Sequence, residues 1–375
     1  MNDTDVLVVG AGATGLALAA ALRTRGVDAV LADKLAEGQN TSRAAAVNAR
    51  TLEVLTDRDV ARRMVKAGLI APRFTMLQGS RVLIPVDFTE LPTQYPFTLM
   101  LSQADTERLL LQRLHELGGA VLHPKTLSHL HQDTDGVTAT FDDGDTIRAG
   151  YVVGADGMHS TVRQQAGIGF AGGEFPESFA LADVRVTGEA PDDEVILFYA
   201  GDGLTVLAPL PGGIWRVVAL TADTLAEPSA EFVQSLLDTR GFGPGRTTVT
   251  ELVWGSRFHI HHRGADRYHA GRLLLAGDAA HVHSPTGRQG MNLGITDAIS
   301  LAAALAQIAR GGPDTVLDAY GDAQRQRAER VLRLTRVATL PRPLRPLSNA
   351  GMRLAAGIPG VQRRLAVQLS DLGHR

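Results

Sequence analysis

The sequence predicts an α/β protein in which the α/β domain is interrupted by a mostly antiparallel β-sheet domain and followed by a C-terminal helical segment. Three observations predict this fold class. Apolar strand patterns end in glycine at Gly10, Gly154 and Gly277. Between residues 175 and 263, short strand-like runs alternate with Pro, Gly and Asp, and helical periodicity returns over Met291–Arg310. Because strand and helix patterns flank the antiparallel run on both sides, the α/β domain is discontinuous.

The composition excludes several classes of function. The 375 residues are 44% hydrophobic, enough to fill a substantial core, and the net charge of −3 gives no attraction to nucleic acid. The chain has no cysteine, which excludes disulfides, thiolate catalysis and iron–sulfur clusters. Any redox chemistry must therefore come from a bound cofactor.

The sequence also predicts a cytoplasmic location. The N-terminal stretch MNDTDVLVVG lacks the basic region of a signal peptide, and no apolar run reaches the roughly 18 residues that indicate a membrane span.

Arginines are concentrated between Arg325 and Arg375. We expect this basic tail to be the solvated face of helices packed on the main body, and contact with an anionic membrane surface or an acidic partner is the alternative.

The N-terminal residues predict a strand, a helix and a second strand, over Asp5–Val9, Thr14–Arg25 and Ala29–Ala32. Further along, Ser42–Lys66 has the pattern of one long helix or two. Gln103–Glu116 predicts another helix. The segment from Thr126 to Ile147 alternates around DTDG and DDGD turns, which predicts a small β-meander that leads into the strand before Gly154.

The motif Gly10-x-Gly12-x-x-Gly15 lies between the first strand and the first helix. In that context the first glycine permits a tight turn, the second lets the backbone approach a pyrophosphate, and the third lets the helix pack against the strand. Asp33 ends the second strand, where a carboxylate holds ribose hydroxyls. A carboxylate there favours an unphosphorylated ribose, as in FAD or NAD. The motif and Asp33 together predict a Rossmann-like dinucleotide site.

Two more strands end in the same manner. Gly154-Ala155-Asp156-Gly157 precedes Ser160, which is suited to cap a short helix, so a capped turn is the simplest interpretation. Gly277-Asp278 follows a third apolar strand. Because ligands of open α/β sheets bind at the carboxyl ends of the strands, we expect these segments to meet at one edge.

Five blocks carry a family resemblance. They read VVGAGATGLALAAALRTRG with LADK, SRAAAVNARTLEVL, LSQADTERLLLQRL, VVGADGMHSTVRQQAGI and GRLLLAGDAAHVHSPTGRQGMNLGITDAISLAAALA. Their order and spacing over about residues 3–335 resemble the single-component FAD-dependent aromatic hydroxylases, typified by para-hydroxybenzoate hydroxylase and the polyketide hydroxylases. The resemblance predicts a compact form with two domains and a C-terminal tail.

The predicted FAD-binding domain comprises 1–71, 98–174 and 264–340, the substrate domain 72–97 and 175–263, and the helical tail 341–375.

The resemblance implies the cofactor and the reaction. NADPH or NADH reduces FAD, O2 adds as a flavin C4a-hydroperoxide, and oxygen passes to a phenolic or polyketide-like aromatic substrate. We expect a monomer or a homodimer. The implied FAD contacts are Gly10, Gly12, Ala13, Thr14, Gly15, Asp33, Lys34, Arg43, Gln103, Leu127, Asp156, Asp278, Gly290, Met291 and Asn292. Among them Asp156 is also associated with the nicotinamide cofactor, Asp278 with the ribitol chain, and Gly290–Asn292 with the flavin ring.

Two segments are predicted to line the substrate site. We expect pocket walls from Arg73–Leu101 and Ala180–Leu220, with Met76, Met100 and Arg216 as candidate substrate contacts. The first segment is mainly apolar, which suggests a bulky uncharged aromatic, although core packing explains the same residues equally well. No catalytic side chain is assigned, because the flavin carries the chemistry. Candidates near the flavin are Pro285 and Arg288, and Arg288 departs from the small residue of the family pattern.

Other interpretations remain open at this stage. His281-x-His283 could be a metal pair, but a third ligand is not defined, so we predict no metal and a structural role. A general base for a phenol is the alternative role. A flavin halogenase is not supported, because Trp215 and Trp254 lie far apart. A prenyl-lipid or polyene reductase and a non-catalytic flavin-binding protein are the rival functions.

Overall fold

A computed structural model gives the fold and describes residues 2–36, 44–56, 59–200, 203–221, 227–282, 289–338 and 359–374. The strands are β1 (Asn2–Val9), β2 (Ala29–Ala32), β3 (Ala46–Val47), β4 (Leu69–Ala71), β5 (Arg73–Gln78), β6 (Arg81–Asp87), β7 (Thr98–Met100), β8 (Val121–Leu122), β9 (Leu127–Gln132), β10 (Val137–Phe141), β11 (Thr146–Gly154), β12 (Phe170–Gly188), β13 (Glu194–Ala200), β14 (Gly203–Leu210), β15 (Ile214–Thr221), β16 (Thr247–Ala265), β17 (His269–Ala270), β18 (Leu273–Leu275) and β19 (His281–Val282). The helices are α1 (Ala13–Thr24), α2 (Ala49–Leu55), α3 (Val60–Ala67), α4 (Gln103–Glu116), α5 (Thr161–Gln165), α6 (Ala230–Arg240), α7 (Gly290–Ala309), α8 (Val316–Ala338) and α9 (Pro359–Leu369).

The first sheet has the strand order β17-β18-β11-β1-β2-β8, with the β9–β10 meander attached to β11. The central strands are parallel, and their last residues are in register: Val9 lies opposite both Ala32 and Gly154, and Gly154 lies opposite Leu275. These strands are apolar on both faces because the sheet is covered on both sides. The predicted α/β fold and the common edge of the three strand ends are therefore confirmed.

Helix α7 crosses the core of this domain. It is the one helix among the described residues with the length and composition to cross a membrane, yet 61% of its apolar window is buried inside the fold. Its apolar sequence is explained by this position, because it packs beside α1.

The second sheet has the order β19-β16-β12-β15-β14-β13-β5-β6 and is antiparallel except for the β13–β5 pair. Side chains alternate between its two faces. One face carries Val217 and packs on α6 through Leu237. The opposite face carries Ala208 and packs on the short third sheet, β3-β7-β4, through Ala46 and Met100. The second sheet thus turns one face towards the nucleotide-binding part of the chain.

One segment differs in part from what the sequence predicts. Ser42–Lys66 contains two helices, α2 and α3, in agreement with one of the two alternatives, but strand β3 precedes them, because Ala46 pairs with Met100 of β7 instead of starting a helix. The end of the basic tail agrees with the expectation of helices that pack on the main body and keep a solvated face, because Arg363 and Arg364 are exposed. Ala366 and Leu372 join a buried cluster with Phe88, which follows β6. A C-terminal helical segment is confirmed by α9, while 339–358 lie outside the described residues.

Candidate active site

The carboxyl ends of β1, β11 and β18 form one continuous edge. Backbone hydrogen bonds join each strand end to its neighbour: Gly10 N donates to Ala32 O at 2.8 Å, Ala155 N to Val9 O at 2.8 Å, and Ala276 N to Gly154 O at 3.0 Å. The three glycine-containing segments are thereby fixed side by side. This edge is where a ligand of an open α/β sheet binds.

The glycine motif forms a turn that side chains would block. Gly10 has φ +106°, and a Cβ atom there would lie 2.3 Å from Ala155 O. A Cβ atom on Gly15 would lie 1.8 Å from Gly10 O, so only glycine lets α1 approach the strand. At Gly12 the nearest atom to such a Cβ is Glu107 Oε1, 3.8 Å away, and Gly12, the N-cap residue of α1, makes no side-chain cap bond. The N-terminus of α1 therefore offers room and N–H groups for a phosphate.

Glu107 also contacts the N-terminus of α1, and the sequence did not single it out. It is 8% exposed, and its Oε1 atom accepts from Ala13 N at 3.2 Å and from Gln103 Nε2 at 2.8 Å. Gln103 Oε1 accepts in turn from Ala44 N at 3.3 Å. The structure thus brings Gln103 to the turn, while Arg43, which precedes Ala44, lies outside the described residues. The sequence signal that could have indicated Glu107 is its position four residues after Gln103, which places both side chains on the same face of α4.

Asp33 closes the turn at the end of β2. Its Oδ2 atom accepts from Ala11 N at 2.5 Å, and its backbone oxygen accepts from Lys125 N at 2.7 Å. Lys34 follows with an exposed side chain. Leu127, the other residue predicted to lie near this point, begins β9 with its side chain 6% exposed in the core.

Asp156 lies at the second strand end and holds the start of α5. Its Oδ2 atom accepts from Thr161 N at 2.7 Å and from Val162 N at 3.3 Å, and Ser160 caps the same helix as predicted. Burial raises the pKa of Asp156 above its usual value. Its Oδ1 atom is buried without a hydrogen-bond partner among the described residues. A buried carboxylate oxygen that has no hydrogen-bond partner among the described residues can accept a hydrogen bond from a ligand.

Arg163 connects the segment that follows β11 to the segment that follows β18. The sequence alone does not predict a role for this residue. Its guanidinium is 5% exposed and donates to Met158 O and to Ala279 O, each at 2.8 Å. It lies 3.8 Å from the centre of the Phe170 ring. Burial lowers its pKa, but an arginine stays charged at neutral pH. Arg163 therefore fixes the spacing between the two motifs.

The third strand end forms a short 3₁₀ turn, Gly277–Ala279, in which Asp278 is exposed while both neighbours are buried. Asp297 of α7 holds this turn. Its Oδ2 atom accepts from Gly277 N at 3.2 Å and lies 2.5 Å from His281 Nε2. Asp278 is thereby presented at the edge of the sheet.

His281 is 1% exposed and stacks on Tyr268. Burial disfavours its charged form, but the Asp297 carboxylate outweighs this and raises the pKa of His281 above its usual value. His281 thus has a structural place in the core. No metal-binding group of His, Asp and Glu side chains occurs within the described part of the chain.

The start of α7 completes the edge. A Cβ atom on Gly290 would meet no atom of the described residues within 4 Å, the N-cap residue Gln289 makes no side-chain cap bond, and the first turn has no acidic residue. Asn292 is 1% exposed and turns inward: Oδ1 accepts from Asn48 N and Thr51 Oγ1, each at 2.8 Å. The backbone of Gly290 and Met291 forms the first turn of α7 at this edge. Pro285, Arg288 and His283, also named from the sequence, lie outside the described residues.

The second sheet carries a row of half-buried apolar side chains towards this side. Met76, Leu197, Val206 and Val218 are register partners on four neighbouring strands, β5, β13, β14 and β15. We call these four residues the apolar row. Met100 is 1% exposed and packs in the adjoining cluster with Ala46 instead.

Arg216, two residues before Val218, lies on the same face. It is 3% exposed and binds Asp183 in a bidentate manner, through Nε at 2.7 Å and Nη2 at 2.8 Å. Its Nη1 atom donates to Ala44 O at 3.1 Å. The guanidinium charge is therefore matched by a carboxylate and joins the second sheet to the segment before β3.

These features fit a flavin adenine dinucleotide. Two helix N-termini whose N-cap residues make no side-chain cap bond, those of α1 and α7, face one strand edge, which suits a pyrophosphate at one end and an electron-rich ring at the other. Asp33 and the exposed Asp278 supply carboxylates for hydroxyl groups between them. Fold and site define a nucleotide-binding flavoprotein.

Comparison with known proteins gives the family. The family described as "FAD binding domain" matches residues 3–335. A rifampicin monooxygenase from Streptomyces venezuelae is 35% identical over 99% of this chain and 79% of its own length. The anhydrotetracycline hydroxylase OxyS from Streptomyces rimosus is 34% identical, with a TM-score of 0.82, 99% of this chain covered and 76% of that one. The p-nitrophenol 4-monooxygenase PnpA from Pseudomonas putida is 25% identical, with a TM-score of 0.85 and 99% of both chains covered.

The chain belongs to the FAD-dependent aromatic hydroxylases. It is an FAD-dependent monooxygenase of aromatic compounds, with NAD(P)H as reductant and O2 as the second substrate. The predicted family, reaction class and cofactor are confirmed, and the reductase and non-catalytic alternatives are not supported.

Proposed function

We propose that the protein hydroxylates an uncharged, multi-ring phenolic compound bound against the apolar row. The observation that carries this proposal is the row itself. Four strands each contribute a partly exposed apolar side chain, on the sheet face that elsewhere packs into the core through Ala208 and Leu210. A flat apolar wall of this width suits a fused aromatic ring system. Relatives named for rifampicin and anhydrotetracycline support a multi-ring substrate.

The charges on this face favour a neutral substrate. Arg216 is already bound to Asp183 through two hydrogen bonds, so its charge is compensated within the protein. A substrate carboxylate placed against the apolar row would lose its hydration without gaining a matching cation there, which costs several kcal/mol in general. The site should therefore discriminate against aromatic acids.

We further propose that the residues at the strand edge hold FAD as the resemblance implies. Gly10, Gly12, Ala13, Thr14 and Gly15 would surround the pyrophosphate, with Asp33 and Lys34 at the adenosine end. Gln103 would support this turn through Glu107, and Asp156 would offer its open carboxylate oxygen. Asp278 and the Gly290–Asn292 backbone would meet the ribitol and the ring. Bound FAD supplies the redox chemistry, accepting a hydride from NAD(P)H and activating O2.

We also propose the remaining predictions from the sequence, which concern further FAD and substrate contacts, the domains, the oligomeric state and the location. Arg43, Leu127, Pro285 and Arg288 stay candidates for contacts with FAD, and Met76, Met100 and Arg216 for the substrate side. We also propose the division into FAD-binding and substrate domains, a monomer or homodimer, and a cytoplasmic location. Size-exclusion chromatography with light scattering and cell fractionation measure the last two.

The substrate proposal is tested with matched anthraquinone phenols. Holoprotein is mixed anaerobically with NADPH or NADH and either chrysophanol, which carries a methyl group, or rhein, which carries a carboxylate at that position. We expect the neutral compound to accelerate flavin bleaching at least tenfold over rhein and to yield an oxygenated product in air. Equal acceleration by rhein would contradict a neutral site. Consumption of O2 to H2O2 alone, across a wider panel of neutral phenols, would contradict the substrate class.

A further inference from the structure

Asp371 follows α9 and is buried deep beside the N-terminus of α7. It is 4% exposed and has φ 59°, a left-handed conformation that is unfavourable for residues other than glycine, asparagine and aspartate. The preceding residue, Ser370, accepts a backbone hydrogen bond from Arg50 N at 3.1 Å. The chain thus ends α9 in a conformation that directs the Asp371 carboxylate inward.

The carboxylate lies between two helix N-termini. Oδ1 accepts from Gln289 Nε2 at 2.8 Å and Oδ2 accepts from Asn48 Nδ2 at 2.7 Å. Gln289 and Asn48 are the N-cap residues of α7 and α2, and neither side chain caps its own helix. Both cap side chains are instead turned towards Asp371. A carboxylate is favourable where two positive helix ends meet.

The same contacts reach the predicted flavin position. Gln289 immediately precedes Gly290 and Met291, and Asn48 N donates to Asn292 Oδ1 at 2.8 Å. Asn48, Gln289, Asn292 and Asp371 are all below 7% exposed. Because the cluster is buried, solvent and salt screen its electrostatic effect weakly.

We propose that Asp371 is a positioning residue that orients the N-terminus of α7 and sets the reduction potential of the flavin. This inference rests on the proposed placement of FAD at Gly290–Asn292. The positive end of α7 favours the anionic, reduced form of a bound flavin, and the carboxylate behind it offsets part of that positive potential. Asp371 therefore holds the helix in place and keeps the flavin potential low.

Two variants separate charge from packing. Asp371→Asn removes the charge and keeps the shape, since the neighbouring amides can rotate to pair with it. Asp371→Gly suits the backbone conformation and removes both hydrogen bonds. Asp192→Asn is the control, because it removes one carboxylate from an exposed position. Midpoint potentials are measured by dye-coupled reductive titration with FAD in excess, alongside Tm and the Kd for FAD.

We expect Asp371→Asn to favour reduced over oxidised flavin about tenfold, a rise of about 30 mV for a two-electron couple. Asp371→Gly should raise the potential as well and weaken FAD binding several-fold. An unchanged potential in Asp371→Asn, relative to wild type and to Asp192→Asn, would overturn the proposal, as would a drop in Tm with no shift of potential in either variant. These readouts need no substrate, so failure of the substrate proposal would leave them unaffected, whereas a wild-type protein that binds no FAD would overturn the FAD placement and this inference together.

Discussion

At the residue scale, His281 could be a metal ligand or a general base by its residue type, but its surroundings give it a structural role. Its ring is enclosed by Tyr268 on one side and by Asp297 of α7, and Asp278 lies near enough to favour its protonated form. Arg327 faces the same ring from α8 and acts in the opposite direction. The net result is a raised pKa for an imidazole that is paired with a buried carboxylate beneath the turn that presents Asp278.

This pair predicts a pH-dependent stability. Because the pKa of His281 is raised in the folded state, its contribution is fully present below the unfolded pKa of about 6.5 and is lost as the pH rises through the folded value. We expect the free energy of unfolding to fall from pH 6 towards alkaline pH, and His281→Gln to flatten this slope. Urea unfolding at several pH values measures it.

His131→Gln is the matched control for that experiment, because His131 is exposed on β9. It should leave the slope of stability against pH as in the wild type. If His281→Gln and His131→Gln show the same slope, the His281–Asp297 pair is not the source of the pH dependence.

The roles of Glu107 and Arg163 could not be predicted from the sequence, because each depends on a partner far along the chain. Their partners at the site are 94 and 116 positions away, Ala13 and Ala279. Nothing local to Glu107 distinguishes it from a solvated residue of an amphipathic helix until α4 is placed against α1. The glycines could be predicted because the turn itself requires them.

At the scale of the element, the turn between β1 and α1 separates two uses of glycine. Gly15 is enclosed by the backbone of the turn, whereas a Cβ atom on Gly12 would meet only Glu107 Oε1, at 3.8 Å, among the described residues. The first is required for the fold and the second for access to the proposed pyrophosphate. The same substitution should therefore have different effects at the two positions.

We expect Gly15→Ala to destabilise the protein strongly, because the new Cβ atom would lie 1.8 Å from Gly10 O. Gly12→Ala should fold with a near-normal Tm and bind FAD at least tenfold more weakly. Thermal unfolding and flavin fluorescence measure the two effects. Gly264→Ala, at a strand position open to solvent, controls for the substitution. Normal FAD affinity in Gly12→Ala would place the pyrophosphate elsewhere.

Helix α4 and the region before it show why some elements could be predicted and others not. The bounds Gln103–Glu116 follow from a serine cap at Ser102 and an apolar stripe, both local signals. The segment from Ser42 has a helical pattern, but Asn48 N is taken by Asn292 and Ala46 pairs with Met100. Tertiary partners far along the chain override the local preference there, and no single sequence reveals them.

At the scale of the whole molecule, Arg216 joins the second sheet to the rest of the chain. It contacts Asp183 within the sheet and Ala44 beyond it, at the border of the cluster that contains Ala46 and Met100. The sequence indicated Arg216 as a substrate contact, and the structure gives it this connecting position in addition. The relative placement of the two sheets depends on such contacts.

We expect Arg216→Ala to destabilise the protein by about 3 kcal/mol, at the lower end for a buried ion pair, because it leaves the Asp183 carboxylate, whose side chain is 16% exposed, without its partner. The double variant Asp183→Asn with Arg216→Met should recover a large part of that loss. Denaturant unfolding of both variants measures the coupling. Strictly additive losses would show that the two side chains do not act as a pair.

The cluster around Asp371 has a consequence for how the chain acquires its structure during synthesis. Its hydrogen bonds join Asn48 to a residue 323 positions later, and Ala46 to Asn292 across 246 positions. On the ribosome the glycine turn can form early from neighbouring residues, but the polar groups around Asn48 lack this partner until Asp371 has emerged. The proposed site of the flavin ring is therefore completed only after Asp371 has been synthesised.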